Sequence, residues 1–318
     1  MIILRDDEAA PGSDASAVAI GVFDGLHLGH QRVIAQVRSL ASAHGARATI
    51  VTFDPHPALV LAPESAPLQL GTIEQRLEGF EALGVDQVRI LHFTPDMAEE
   101  SAQHFVERVL VGELRACCVV VGEDFQFGHD RGGDVAMLSR EGEKNNFEVH
   151  AAPIYGGNQR WSSTAVRNAL GGGDLFSANA LLGRPFTLRG VVEHGDARGA
   201  QLGFKTANLA LDARQQLPEL GIYAGAARTA ARTWWPASIS VGTRPQFYDD
   251  GQVLVEVHLS GYDGDLYGHD MDVAFMSRLR DEMTFATSEE LVAQIDHDVV
   301  ETLDIYKRFI PASSPLLG

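Results

Sequence analysis

Cysteine is almost missing from this chain: Cys117 and Cys118 are the only two among 318 residues. They stand side by side in a strand-like run, which excludes a disulfide framework. Basic residues are also short, 25 Lys and Arg against 43 Asp and Glu, and the net charge is −18. That balance argues against a broad nucleic-acid or anionic-membrane footprint, while a local positive pocket stays compatible with it. No apolar run approaches the ~20 residues of a membrane span. The N-terminal "MIILRDDEAAPGSDAS" lacks a signal-peptide core, so a cytoplasmic location is expected. Neither GxxxxGKS/T nor GxGxxG occurs, and any nucleotide binding must use another architecture.

What is present suffices for two domains, with an ordinary 45% hydrophobic and 21% charged residues. Up to about residue 155, strand-like runs near 17–23, 47–53, 87–92, 117–122 and 147–153 alternate with the helical periods of "HQRVIAQVRSLASAHG", "TIEQRLEGFEALG" and "SAQHFVERVLVGEL". Helices between strands predict crossovers, hence an α/β, Rossmann-like parallel sheet covered on both faces. Residues 161–182 read as two short helices around a Gly-rich turn. After Gly183-Arg184-Pro185 come strand-like runs near 186–194, 206–211, 221–228, 236–241, 253–259 and 271–277. Short strands with Gly, Pro and Asp between them predict a closed β-barrel, followed by one terminal helix with Ser288 as N-cap. The expected domains are 1–184 and 185–318.

The motif "GVFDGLHLGH" places His27 and His30 where the first predicted strand gives way to a helix. A helix N-terminus offers unpaired N–H groups and partial positive charge, and so favours an anion. Histidines there add donors, and phosphate chemistry is the reading favoured over a pair of capping or surface imidazoles. Zinc is disfavoured, because no third and fourth ligand stand nearby at metal-site spacing. Asp24 reads equally as a cap or a metal-facing carboxylate. "VTFDPHP" and "VGEDFQFGHDRGGD" leave the ends of later strands. The first is satisfied as a proline-fixed turn; the second reads as core aromatics or as a stacking site for a flat heteroaromatic ligand. "SSTAVR" offers capping hydroxyls and an arginine one turn inside a helix. In the second half, Thr206 and Asn208 share a face if extended, and their oxygens suit Mg²⁺ as well as they suit a turn. Glu256 lies in an apolar strand, where an interior carboxylate needs a partner or a task.

Taken in order, "GVFDGLHLGH", "TFDPHP", "GEDFQFG", "SSTAVR", "LLGRPF", "LGFKTAN", "VGTRP", "VEVHL", "GDLYG" and "LRDEMTF" resemble the prokaryotic bifunctional riboflavin kinase/FAD synthetase family, from about Ala17 to Phe309. The resemblance implies a nucleotidyltransferase-like domain that adenylylates FMN to FAD with release of pyrophosphate. It also implies a kinase barrel that phosphorylates riboflavin to FMN. ATP is the co-substrate of both and Mg²⁺ the cofactor; no nucleic acid or membrane partner follows, and a homo-oligomer is left open. On this resemblance His27, His30 and Glu256 are catalytic, the histidines at the ATP phosphates and Glu256 as base for the riboflavin 5′-hydroxyl. ATP and its phosphates would meet Gly21, Phe23, Asp24, Gly29, Ser163, Thr164, Arg167, Gly203, Thr206 and Asn208, with Thr206 and Asn208 on the metal. Flavin would meet Asp54, Pro55, Asp124, Phe125, Phe127 and Arg280.

The chain departs from the family's pattern at Lys205, where proline is usual, at Gln246, where threonine is usual, and at Ser260, where an acid is common. Lys205 gives up the fixed φ that presets the Thr206 loop, while offering a cation near phosphate. Two alternatives stand beside the bifunctional reading. One is an FAD synthetase whose kinase module is inactive or regulatory; the other is a flavin-binding protein without turnover.

Overall fold

The computed structural model describes residues 1–5, 14–157, 160–194, 203–243 and 253–309; Gln246 lies outside them. Packing divides the chain into two compact units: Met1–Pro67 with Ile73–Ser162, and Leu68–Thr72 with Ser163–Gly318. This division groups 163–182 with the second unit, whereas the expected domain boundary falls at 184/185.

In the first unit, six strands form one parallel sheet: β1 (Ile2–Arg5), β2 (Ser16–Ile20), β3 (Arg47–Phe53), β4 (Gln87–Leu91), β5 (Ala116–Gly122) and, after a two-residue pair β6 (Gln126–Phe127) and β7 (Gly133–Asp134), β8 (Glu148–Ala152). Their order is β1-β4-β3-β2-β5-β8. The strands are runs of Val, Ile, Ala and Cys because both faces are covered. On one face lie Ile34, Val37 and Ala41 of α1 (Leu28–His44), which Gly45 ends in a left-handed conformation, φ 60°. After α2 (Pro57–Leu61), α3 (Ile73–Ala82) brings Leu77 and Phe80 to that same face. Beyond α4 (Pro95–Ala98), α5 (Ala102–Phe105) runs directly into a π-helical segment, Val106–Glu113. That segment puts Val106, Val109 and Leu110 on the other face, with Leu138 of α6 (Val135–Asn145). The sequence period predicts one regular helix there. The edge strand β1 has no counterpart in the sequence pattern, being four residues long and half exposed. Both cysteines are free, and burial, with Cys117 beside it, pushes the Cys118 thiol up to about 12, so Cys118 is not a reactive thiolate.

The second unit carries α7 (Ser163–Gly171) and α8 (Leu175–Leu182), then a closed antiparallel barrel. Its strands are β9 (Phe186–Glu193), β10 (Ala207–Ala210), β11 (Gly221–Arg228), β12 (Trp234–Thr243), β13 (Val253–Leu259) and β14 (Asp270–Arg280), in the order β10-β13-β12-β11-β14-β9. The barrel is filled by alternate residues such as Leu209, Tyr223, Ile239, Val255, Val257 and Phe275, and closure leaves no free sheet edge. The helix α9 (Ser288–Phe309) completes the unit. Its cap is Thr287, whose hydroxyl accepts from the Glu290 N–H at 3.2 Å. Ser288 is therefore the first helical residue rather than the cap, a one-residue correction to the sequence reading.

Candidate active sites

The parallel sheet turns in opposite directions on the two sides of β2: β3 and β4 lie to one side, β5 and β8 to the other. The loops leaving β2 and β5 therefore start in opposite directions, and the carboxyl ends of strands at such a switch point are where ligands of open parallel sheets bind. The loop after β2 is tightly wound, with Phe23 at φ 56°, Leu26 at φ 46° and Gly25 at φ 78°. Asp24 is buried within it. His27 then caps α1: its Nδ1 accepts from the backbone N–H of Gly29 at 3.1 Å and of His30 at 3.4 Å. The capping and the phosphate readings of the histidines are thus compatible, because an imidazole accepting at Nδ1 carries its proton on Nε2. Two of the amides that an anion was expected to use are engaged by His27 itself.

His30 stacks on His27 with ring centroids 3.6 Å apart at 24°, and the edge of Phe23 meets it at 5.1 Å. Burial first, and the neighbouring His27 second, hold the His30 imidazole well below its ordinary 6.5. It is neutral at pH 7, and its buried Nδ1 has no hydrogen-bond partner among the described residues. Gly29 makes the stack possible: a Cβ there would lie 2.9 Å from His27 Cε1.

Elsewhere in the first unit, the loop after β3 holds Asp54 and Pro55. The Asp54 N–H donates to Leu91 O at 3.1 Å, and Nδ1–H of His92 donates to Asp54 O at 3.1 Å. A cavity of about 630 Å³ opens beside it, lined by Arg89, Leu91, His92, Thr94, Met97 and Arg108 among others. After β5, the Asp124 carboxylate accepts from Arg160 Nη2 at 2.5 Å. Phe125 and Phe127 stack at 5.3 Å and 16°, packed against the sheet's core while staying half-buried. Their core role is realised, and a ligand contact would use what remains exposed. Ser163 and Thr164 open α7 in the second unit, and Arg167 Nε there donates to Leu68 O at 2.5 Å.

In the barrel, register sets Asn208 opposite Glu256 on β13 and opposite Glu193 on β9, while Glu256 also faces Ser240 on β12. Ala207, Leu209, Val255 and Val257 point into the core, so Asn208 and Glu256 are on the outer face. The expectation of an interior carboxylate is corrected: alternation along β13 turns Glu256 outward, half-buried. Thr206 stands two residues before Asn208 and directly precedes β10, and Gly203 turns the approach at φ 93°. The Lys205 ammonium pairs with Asp263 at 3.1 Å on the surface, and its carbonyl accepts from His258 Nδ1–H at 2.9 Å. Ser260 donates its N–H to Pro236 O at 2.9 Å. Arg280 is held by Asp298 of α9 through Nε and Nη2, the latter at 2.7 Å, with its guanidinium over Phe285.

Three further residues contact these loops without a sequence motif: His92 at Asp54 O, Arg160 at Asp124, and Arg76 of α3, whose Nη1 donates to Val22 O at 2.8 Å. Arg76 carried a signal, since it occupies the otherwise apolar face of Ile73, Leu77 and Phe80. His92 and Arg160 stand in loops where no periodicity marks them.

A parallel sheet with imidazole donors at its switch point, joined to a barrel bearing an outer-face carboxylate beside hydroxyl and amide oxygens, defines a two-module transferase of phosphate-bearing groups. Residues 10–165 match the FAD synthetase family model, and residues 182–306 match the riboflavin kinase model. The chain is 40% identical over 291 residues to the bifunctional riboflavin kinase/FMN adenylyltransferase of Pseudomonas fluorescens, covering 91% of this chain and 92% of that one. It is 35% identical over 300 residues to the protein of that description from Escherichia coli K12, covering 94% and 95%. A solved structure described as a macrolide-efflux protein from Streptococcus pneumoniae superposes with a TM-score of 0.81 at 29% identity, covering 99% of this chain and 100% of that one. Among the described residues, no helix is long and apolar enough to cross a membrane. The chain belongs to the bifunctional riboflavin kinase/FMN adenylyltransferase family and carries both of its modules.

Proposed function

We propose that the stacked histidines serve adenylyl transfer and that Glu256 serves the kinase step, in a chain that makes FMN from riboflavin and FAD from FMN. The observation that carries this reading is the stacked imidazole pair at the switch point of the sheet, with burial holding His30 neutral. An oxygen of the FMN phosphate attacks the α-phosphorus of ATP, the α–β bridging P–O bond breaks, and pyrophosphate leaves. Charge moves from the attacking oxygen to the leaving one, and no covalent enzyme intermediate is needed. Neutral N–H donors suit that task, because they follow the charge without binding the ground-state triphosphate so tightly that the barrier grows. Gly21, Phe23, Asp24 and Gly29 shape the loop that presents them. Ser163, Thr164 and Arg167 are proposed to hold the triphosphate. Asp54, Pro55, Asp124, Phe125 and Phe127 are proposed to hold the flavin.

In the barrel, Glu256 takes the proton of the riboflavin 5′-hydroxyl as its oxygen attacks the γ-phosphorus, and ADP leaves. Thr206 and Asn208 supply hard oxygens for Mg²⁺, with Gly203 giving the phosphates room. Among the described residues no group of three or more His, Cys, Asp or Glu is arranged for a metal, which fits an ion held mainly by substrate phosphates and water. When bound, Mg²⁺ would neutralise phosphate charge. Arg280, engaged by Asp298, serves the flavin by fixing the turn that follows β14. The modules are proposed to divide at 184/185, and the chain to work in the cytoplasm.

The test is to supply ATP and Mg²⁺ with either FMN or riboflavin. FMN should yield FAD and pyrophosphate, and riboflavin should yield FMN and ADP. Kinase failure alone would favour an FAD synthetase with a regulatory barrel. Loss of both activities in protein that still binds flavin would favour a binding protein.

A further inference from the structure

Arg76 of α3 is 5% exposed, yet among the described residues its guanidinium hydrogen-bonds main-chain carbonyls and a hydroxyl rather than a carboxylate. Its Nη1 donates to Val22 O at 2.8 Å, to Thr52 Oγ1 at 3.3 Å and to Phe53 O at 3.4 Å. Thr52 in turn donates its hydroxyl to Val22 O at 3.1 Å. These acceptors lie where β2 and β3 end, so one side chain bridges the two adjacent strand termini. Burial draws the guanidinium down from its ordinary value, while Asp24, Asp54 and Glu74 push it up. Its charge therefore lies beneath the loops that carry Asp24 and Asp54.

The same helix grips the phosphate loop a second time. Phe80, one turn on from Arg76, meets Phe23 edge-on at 5.6 Å, and Phe23 meets His30 at 5.1 Å. Between these grips, Phe23 and Leu26 hold left-handed backbone conformations that L side chains rarely adopt. Such a segment persists only where its surroundings over-determine it.

We propose that Arg76 is a positioning residue for adenylyl transfer: by tying the ends of β2 and β3 together it fixes the His27–His30 pair against the Asp54 loop. The proposal rests on the reading that those histidines receive the ATP phosphates. Misplacement by about 1 Å can cost on the order of 10²-fold in rate without a matching loss of binding.

The experiment compares R76K and R76M in the full chain, measuring kcat and KM for FAD synthesis, riboflavin phosphorylation and thermal unfolding. R76M should lose about 100-fold in kcat and R76K about 10-fold, because lysine keeps the charge but its shorter side chain does not place the ammonium where Nη1 meets both carbonyls. KM for FMN and ATP should stay within about threefold, and riboflavin phosphorylation should not change. If R76M does not fold, the kcat of R76K decides. R76K at the wild-type kcat overturns the proposal, as does a loss confined to KM. Equal losses in both variants that disappear below the melting transition also overturn it, since they mark a purely structural residue. Full FAD synthesis by a folded His27→Asn/His30→Asn variant would instead sink the phosphate-site reading itself.

Discussion

His27 and His30 share one proton-bearing surface: their rings stack at 3.6 Å, and the backbone N–H of His30 donates to His27 Nδ1. The cap fixes the tautomer, the stack fixes the orientation, and the Nε2–H of His27 is directed by both. Replacing His27 by Asn puts an Oδ1 acceptor at the cap position in place of Nδ1 and removes the ring. His27→Asn should melt close to the native protein, whereas His27→Ala should lose about 1 kcal/mol of helix-cap energy. Both should lose about 10²–10³ in FAD synthesis, the usual cost of a preorganised donor. Normal FAD synthesis by the Asn variant would leave His27 as a cap and nothing more.

The depressed pKa of His30 has a pH signature. Above about pH 6.5 the imidazole is neutral in both folded and unfolded states and contributes no pH dependence. As pH falls from there toward the folded pKa, the unfolded chain takes a proton that the folded one refuses, and stability drops. His30→Phe should therefore show a shallower fall in melting temperature between pH 7 and 5. FAD synthesis, needing no imidazolium, should hold its rate from pH 6.5 to 8.5 as far as this pair is concerned. A tenfold fall per pH unit across that range would place a required positive charge on the histidines.

Glu256→Gln keeps the shape and half-burial of the side chain while removing the base. Riboflavin phosphorylation should fall by about 10²–10⁴, with FAD synthesis from supplied FMN unaffected. A kinase rate within threefold of the original would move the base to another residue.

Asn179 of α8 spends both ends of its amide on the barrel: Nδ2 donates to Phe275 O at 2.9 Å, and Oδ1 accepts from Phe186 N–H at 2.7 Å. Its removal leaves those backbone groups without this partner, at about 1–3 kcal/mol for each group left unsatisfied. A fragment of residues 163–318 should thus melt higher than one of residues 186–318, and both should phosphorylate riboflavin without making FAD. Equal melting temperatures would show that α8 is dispensable to the barrel.

Lys205→Pro tests the site where this chain leaves its family's pattern. The ammonium meets Asp263 at the surface, an exposed pair of little energetic weight. Proline should therefore leave or improve kinase turnover by presetting φ before Thr206, and Lys205→Ala should change the KM for ATP by less than about threefold. A large rise in that KM in both variants, with riboflavin affinity unchanged, would assign the lysine to phosphate.

The parallel sheet and the barrel were legible because their apolar periods differ and turn residues punctuate both. The His27–His30 stack was half legible: the spacing was visible, whereas the cap geometry depends on how the 21–27 loop winds. Glu256 shows the opposite case. A carboxylate in an apolar run reads as interior, yet the sense of alternation that turns it outward is set by which strand residues meet the core. Arg76 shows a third. Its place on a helix's apolar face was visible, but its partners are two main-chain carbonyls and a threonine hydroxyl 23 to 54 positions away, which no side-chain period records.

The most direct measurement of the two-module chemistry uses one protein preparation and three variants. The native chain, His27→Asn/His30→Asn and Glu256→Gln are each incubated with ATP and Mg²⁺, once with riboflavin and once with FMN, and the flavins are separated. The native chain should turn riboflavin into FMN and FAD. The histidine variant should stop at FMN, and the Glu256 variant should make FAD only when given FMN. FAD from the histidine variant at the native rate, or FMN from the Glu256 variant at the native rate, would contradict the assignment of each reaction to its site.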